Sequence, residues 1–292
     1  MAEEVFTHTT HHRSFAIHGW IGLVLIAVFW AINWGLQGPR TFWAFFPLWL
    51  GFCLTMDAIN LARYNTSLLT RSWRRYVGLF LVSAPAWWLF EVLNWRLLNW
   101  YYLGRPLLNW WQYILVSSLS FSVVIPAVFE SAELISRMGF MKKMKPWLVI
   151  RPDRNTTVGF FLAGWVMLAL LAIWPHYFFP FLWISIYCII EPINVWLGNR
   201  NLAMWTVDGD WRPVVSLFLG TLLTGFFWEM WNYFSFPKWI YTIPYVNFLH
   251  IFEMPLLGYL GYLPFSLEVF ALYHLVVGFL GVKKGDHYVQ LD

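Results

Sequence analysis

"PVVSLFLGTLLTGFFWEMWNYFSF", Pro213 to Phe236, runs for 24 residues with a single charged side chain, Glu229. At a rise of about 1.5 Å per residue, roughly 20 residues of this kind cross a hydrocarbon core about 30 Å thick. The segment therefore reads as a transmembrane helix, and one that carries an acid. Seven further apolar runs of similar length flank it. They extend roughly from Ile17 to Leu36, Phe42 to Ala62, Tyr76 to Leu98, Trp110 to Ile135, Thr157 to Trp174, Tyr177 to Leu197 and Tyr259 to Leu280. The expected fold class is an all-α integral membrane protein of about eight transmembrane helices.

Composition agrees with this reading. Of 292 residues, 60% are apolar and 12% charged, against about a quarter charged in soluble domains. Cytoplasmic loops of membrane proteins collect Lys and Arg. The side holding both termini has 15 of the 19 basic residues, whereas the other has Arg40, Arg96, Arg105 and Lys238. The expected placement is thus a multi-pass protein of the cell inner membrane with cytoplasmic N- and C-termini. The net charge of +4 reports topology, and no nucleic-acid partner is expected. The first run is too long for a signal-peptide core and lacks a small-residue cleavage pattern, so it is read as a mature span. Cys53 and Cys188 both fall inside predicted helices, which leaves no disulfide framework.

The Pro213–Phe236 run also has a counterpart. "GFFWEMWNY" around Glu229 matches "WWLFEVLNW" around Glu91, and "KWIY" from Lys238 resembles "NWYY" from Asn99. "FPFLWISIYCIIEPIN", Phe179 to Asn194, lies over "FFPLWLGFCLTMDAIN", Phe45 to Asn60. "LPFSLEVFALY" from Leu263 matches "IPAVFESAELI" from Ile125, pairing Pro264 with Pro126 and Glu268 with Glu130. Matches in one order at a nearly constant offset mark duplication. The expected organisation is two tandem four-helix repeats, residues 1–152 and 153–292. An even number of spans per unit inserts both copies the same way up, with a pseudo-two-fold along the membrane normal and a site at the interface.

Six acids fall in predicted spans, all within the repeat: Asp57, Glu91, Glu130, Glu191, Glu229 and Glu268. An ionisable group in the bilayer costs about 2.5–3.5 kcal/mol on insertion scales, which makes each a candidate functional residue. Four are followed three residues later by Asn60, Asn94, Asn194 or Asn232, on the same helix face. A carboxyl group beside a carboxamide suits general-acid chemistry, cation coordination or plain interhelical hydrogen bonding. All six acids are candidate catalytic groups, and the four Asn are candidate substrate-binding residues. Glu133 precedes Arg137 by four residues and reads as its ion-pair partner. Glu253 and His250, in an outer loop with Pro244 and Pro255, are too few to form a metal site.

At "FWEMWNYFSFPKWIY" and "LPFSLEVF" the chain resembles the small integral-membrane lycopene cyclase type of carotenoid cyclase. Those proteins are tandem repeats with a Trp-acid pair, a following Trp and aromatic, and a Pro close to an acid. The matching residues are Trp228, Glu229, Trp239, Tyr241, Pro264 and Glu268, and in the first half Glu91, Trp100, Tyr102, Pro126 and Glu130. The resemblance implies cofactor-free protonation of an isoprenoid double bond by a buried acid, with aromatic faces stabilising the carbocation. It adds Trp100, Tyr102, Trp228, Trp239 and Tyr241 to the expected substrate-binding residues.

Three functions fit these residues. The first is an enzyme acting on a hydrophobic isoprenoid or other lipid, with Glu91 and Glu229 as proton donors or bases oriented by Asn94 and Asn232. The second is a proton- or cation-coupled transporter with the acids along its path. The third is a non-catalytic subunit of a larger membrane complex. No nucleotide-binding loop, Asp-rich diphosphate motif, haem-attachment motif or cysteine cluster occurs, so no cofactor is expected. The expected partners are membrane lipid and a hydrophobic small molecule, with a membrane-complex subunit under the third reading.

Overall fold

In the computed structural model, the described residues are 14–36, 38 and 41–291. Arg40, and Arg13, one of the 15 basic residues counted on the side of the termini, lie outside them. Among the described residues, eight helical segments are long and apolar enough to cross a membrane. They are built from α1 (Ile17–Gly35), α2 (Phe45–Tyr64), α3 (Trp73–Leu97), α4 (Trp110–Phe121) with α5 (Val124–Ser136), α6 (Arg154–Ile173), α7 (Leu182–Trp196), α8 (Arg212–Tyr233) and α9 (Tyr262–Phe279). The chain is not purely α-helical. Short strands β1 (Trp100–Tyr102) and β2 (Trp239–Tyr241) pair at one end of the bundle, the ribbon end, and β3 (His250–Ile251) and β4 (Met254–Pro255) form a second hairpin. The outer loop expected around Pro244 and Pro255 thus contains the β3–β4 hairpin. At that hairpin Glu253 pairs with Lys238, and His250 bonds Asn247 rather than the acid.

The helices divide into a core and a periphery. Only 17% of the span window of α1, and the same of α6, is buried within the protein, so these two present most of their surface to lipid. By contrast every residue of α5, Val124 through Ser136, is buried, as is Phe265–His274 of α9. α5 packs closely on α8 because Gly220 lets the backbones approach: a Cβ there would collide with the backbone of Ala132. Beside it the Thr224 hydroxyl donates to Ser131 Oγ at 2.9 Å. Gly220→Ala tests this contact. Ala favours a helix by up to about 1 kcal/mol over Gly, yet overpacking costs about 1–3 kcal/mol. Gly220→Ala is therefore expected to lower thermal stability in detergent, while Gly159→Ala, with nothing nearby, raises it or leaves it unchanged.

The fourth span, expected as one helix, is broken. Pro126 has no N–H for the Ser122 carbonyl, and its ring crowds that position, so α4 stops and α5 begins with the proline in its first turn. Ser83 of α3 bridges the break: its hydroxyl donates to the Phe121 carbonyl at 2.6 Å and accepts from Ile125 N at 3.0 Å. α9 starts in the same way, with Pro264 in its first turn after a 3-10 segment, Leu256–Gly261.

At the opposite end, residues 286–291 return into the bundle, and Tyr288, Val289 and Leu291 are buried. Both oxygens of Asp286 take the Arg75 guanidinium, which also lies 4.2 Å from the Tyr288 ring centre. Burial opposes ionisation of Asp286, yet Arg75 and Arg200 hold its carboxyl below the usual range. Fully buried Glu133 accepts from Arg71 and from Gln290 N (2.8 Å), with Arg137 at 3.6 Å. The expected Glu133–Arg137 contact exists, but Arg71 is the closer partner.

Candidate functional site

The ribbon positions four aromatic donors. β1 and β2 pair antiparallel with Trp100 opposite Tyr241, Tyr101 opposite Ile240 and Tyr102 opposite Trp239. Alternate strand residues share a face, and that face, Trp100, Tyr102, Trp239 and Tyr241, is turned towards the acids at the ends of α3 and α8. Trp100 Nε1 (3.0 Å), Tyr102 OH (2.6 Å) and Trp87 Nε1 (2.9 Å) all donate to Glu91 Oε1. Tyr241 OH and Tyr262 OH, each at 2.7 Å, donate to Glu229 Oε1, and Trp239 Nε1 donates to the Tyr241 hydroxyl at 2.8 Å. Both glutamates are buried, and Glu229 Oε2 has no partner.

The asparagines one turn on do not orient these carboxyl groups. Asn94 donates to the Trp100 carbonyl at 2.7 Å and accepts from Asn99 N at 2.9 Å. Asn232 donates to the Trp239 carbonyl at 2.8 Å and accepts from Trp239 N at 3.0 Å. The i, i+3 spacing does set acid and amide on one helix face, but the amide clamps the strand backbone whose side chains hold the acid. The Asn act on the glutamates only through the ribbon.

Between the ribbon and the helices lies a cavity of about 1270 Å³, its open mouth included. Its floor is aromatic, with Trp87, Trp183, Trp228 and Phe265, and the hydroxyl-bearing rings of Tyr102, Tyr241 and Tyr262 line it too. Trp183 stacks on Trp100 (5.8 Å between ring centres, 23° between planes). Neither glutamate lines the cavity itself. Each meets it through an aromatic donor, so a proton leaving either acid reaches the cavity by way of a tyrosine hydroxyl. A hydroxyl both donates and accepts and can rotate its hydrogen between partners, which fits it to relay a proton.

The other four acids stand elsewhere, a correction to the expectation of one shared site. Asp57 Oδ2 accepts from Leu69 N at 2.8 Å, and Glu191 Oε1 accepts from Leu202 N and Ala203 N. Each carboxylate thus satisfies free N–H groups at the start of a short helix, Leu68–Arg71 or Ala203–Thr206. His18 Nε2 lies 3.0 Å from Asp57 Oδ1. Glu130 Oε2 accepts from Asn60 Nδ2, which also donates to the Glu130 carbonyl, both at 3.0 Å. Glu268 Oε1 accepts from Ile186 N at 3.2 Å, and Asn194 donates instead to the Ala271 carbonyl. Asn60 and Asn194 therefore brace α5 and α9 and lie away from the cavity. Trp183 and Tyr262 were not expected among the site residues. Trp183 had a readable signal, its alignment with Trp49, whereas Tyr262 had only its place at the head of α9.

No family model matches this chain, and no curated protein or solved structure matches it either.

Proposed function

We propose that this membrane protein is an enzyme that binds a hydrophobic isoprenoid or other lipid in the aromatic cavity and transfers protons to it from Glu91 and Glu229. The observation that carries the reading is the pair of buried carboxyl groups, each bonded to a tyrosine hydroxyl that lines the one cavity. In the forward step the glutamate is protonated, its O–H donates to the tyrosine oxygen and the phenolic hydrogen turns from the carboxyl group into the cavity; the glutamate then gives its proton to that oxygen while the hydroxyl gives its own to a substrate double bond. The products are a carboxylate, a regenerated tyrosine and a carbocation. The faces of Trp87, Trp183 and Trp228 stabilise that cation. Loss of a proton from a neighbouring carbon back along either relay closes the cycle, so the product is an isomer of the substrate. This is the chemistry implied by the resemblance to lycopene cyclases.

The same reading takes residues 1–152 and 153–292 as duplicated units. The β1–β2 register supports it, since Trp100, Tyr101 and Tyr102 face Tyr241, Ile240 and Trp239 as a two-fold axis through the ribbon requires. The matched clamps of Asn94 and Asn232 and the matched caps of Asp57 and Glu191 add to that support. With the basic end cytoplasmic, the cavity belongs to the outer half of the membrane.

Mass spectrometry of lipid extracts tests the reading in cells expressing the wild type or Glu91→Gln/Glu229→Gln. The wild type is expected to deplete one lipophilic compound and accumulate an isomer of equal mass, and the double variant to leave that compound unconverted. Identical extracts count against an enzyme.

A further inference from the structure

One cation at the cavity is unaccounted for by proton transfer to an apolar molecule. Among the described residues, Arg71, Arg75, Arg137, Arg212 and Lys238 each have a carboxylate partner. Lys238 lines the cavity but is balanced by Glu253. Arg105 lines it as well, and no described carboxylate lies within ion-pair reach of it. Its guanidinium sits 4.3 Å from the Tyr113 ring centre and donates to the Leu108 carbonyl at 3.1 Å. It is half-buried in a lining that is mostly apolar, where a charge interacts more strongly with an anion than it does in open water.

α4 adds hydroxyls to the lining that Arg105 belongs to. Tyr113, Ser117 and Ser120 recur at helical spacing on the face of α4 that lines the cavity. The lining thus combines the Arg105 cation and the three α4 hydroxyls with the apolar Val116 and Phe121 of α4 and the faces of Trp87, Trp183 and Trp228.

We propose that the molecule bound here is an amphiphile with an anionic head, a carboxylate or a phosphate, seated on Arg105 against the α4 hydroxyls, with its apolar chain over the tryptophan floor. This rests on the cavity being the lipid-binding site and narrows the substrate class. A planar guanidinium pairs two N–H groups with two oxygens of either head.

Binding of dodecanoate, dodecyl phosphate and dodecanol to the full chain in neutral-lipid nanodiscs tests the assignment, with empty nanodiscs as the blank. Both anions are expected to bind about tenfold or more tightly than the alcohol, the worth of one hydrogen bond to a charged group. The tighter anion names the head. Arg105→Gln is expected to reduce both to the level of dodecanol without changing dodecanol itself. Arg105→Lys, which keeps the charge, should retain the preference, as should Arg96→Gln, which alters a ribbon-end cation bonded to the Ala172 carbonyl and absent from the lining. Dodecanol binding as tightly as the anions overturns the proposal, as does an equal loss of all three ligands in Arg105→Gln. Either result leaves the acid relays intact. Conversely, if charge-selective binding persists while Glu91→Gln/Glu229→Gln converts lipid normally, the enzymatic reading fails and the anionic head stands.

Discussion

Glu229→Gln is expected to lower turnover by about 10²–10⁴-fold, the usual worth of a positioned general acid or base, with little change in stability. Gln keeps a carbonyl oxygen where Oε1 stands, so the bonds from Tyr241 and Tyr262 survive and the ribbon stays in place. What it lacks is a transferable proton. Tyr262→Phe separates relay from structure: it removes one hydroxyl between the acid and the cavity but leaves the ring against Trp228, 6.2 Å away. A drop in turnover without a drop in thermal stability identifies the hydroxyl as part of the path. Full activity in Glu229→Gln, measured beside a folded control, removes this acid from the mechanism and leaves Glu91 to carry it.

The largest loss of stability is expected from Glu133→Ala. Glu133 is fully buried and sits among Arg71, Arg137 and the backbone of Gln290, so its removal takes the carboxylate from two guanidinium groups and the acceptor from an N–H at once. Breaking one side of a buried ion pair costs about 3–5 kcal/mol. Thermal inactivation in detergent should shift well beyond the change seen for Gly220→Ala. Residues 286–291 should also become accessible to carboxypeptidase, because Gln290 N loses its acceptor. Adding Arg71→Leu is expected to recover part of the loss, since the charge left unpaired is the main cost. If Glu133→Ala unfolds at the wild-type temperature, the tail contributes nothing to closure of that end.

Much of the fold was legible because bilayer thickness imposes one length on every span and because charge in such a span is conspicuous. The eight spans and the six acids follow from those two constraints. The break in the fourth span was signalled by Pro126, but its tolerance depends on Ser83 of another helix, which no local pattern announces. Matching Glu91 with Glu229 paired the two acids that the β1–β2 ribbon holds, since the residues that follow each acid, Trp100 and Tyr102 or Trp239 and Tyr241, become its donors or bond to them. The same matching misled for Asp57 and Glu191. Their pattern is as regular, yet each caps a short helix after a span, so a repeated sequence pattern marks structural polar groups as readily as candidate chemical ones. Arg105 and the hydroxyls of α4 belong to loops and faces with no counterpart in the other half, so comparison of the halves passed over them.

The most direct measurement of the central claim is mass spectrometry of lipophilic molecules extracted from the purified wild type and from Val116→Trp, which places an indole on the cavity-lining face of α4. A cavity that binds a specific lipid predicts one compound near one equivalent per chain in the wild type, lost from Val116→Trp while bulk phospholipid is unchanged. Bulk phospholipid alone in both samples would contradict it.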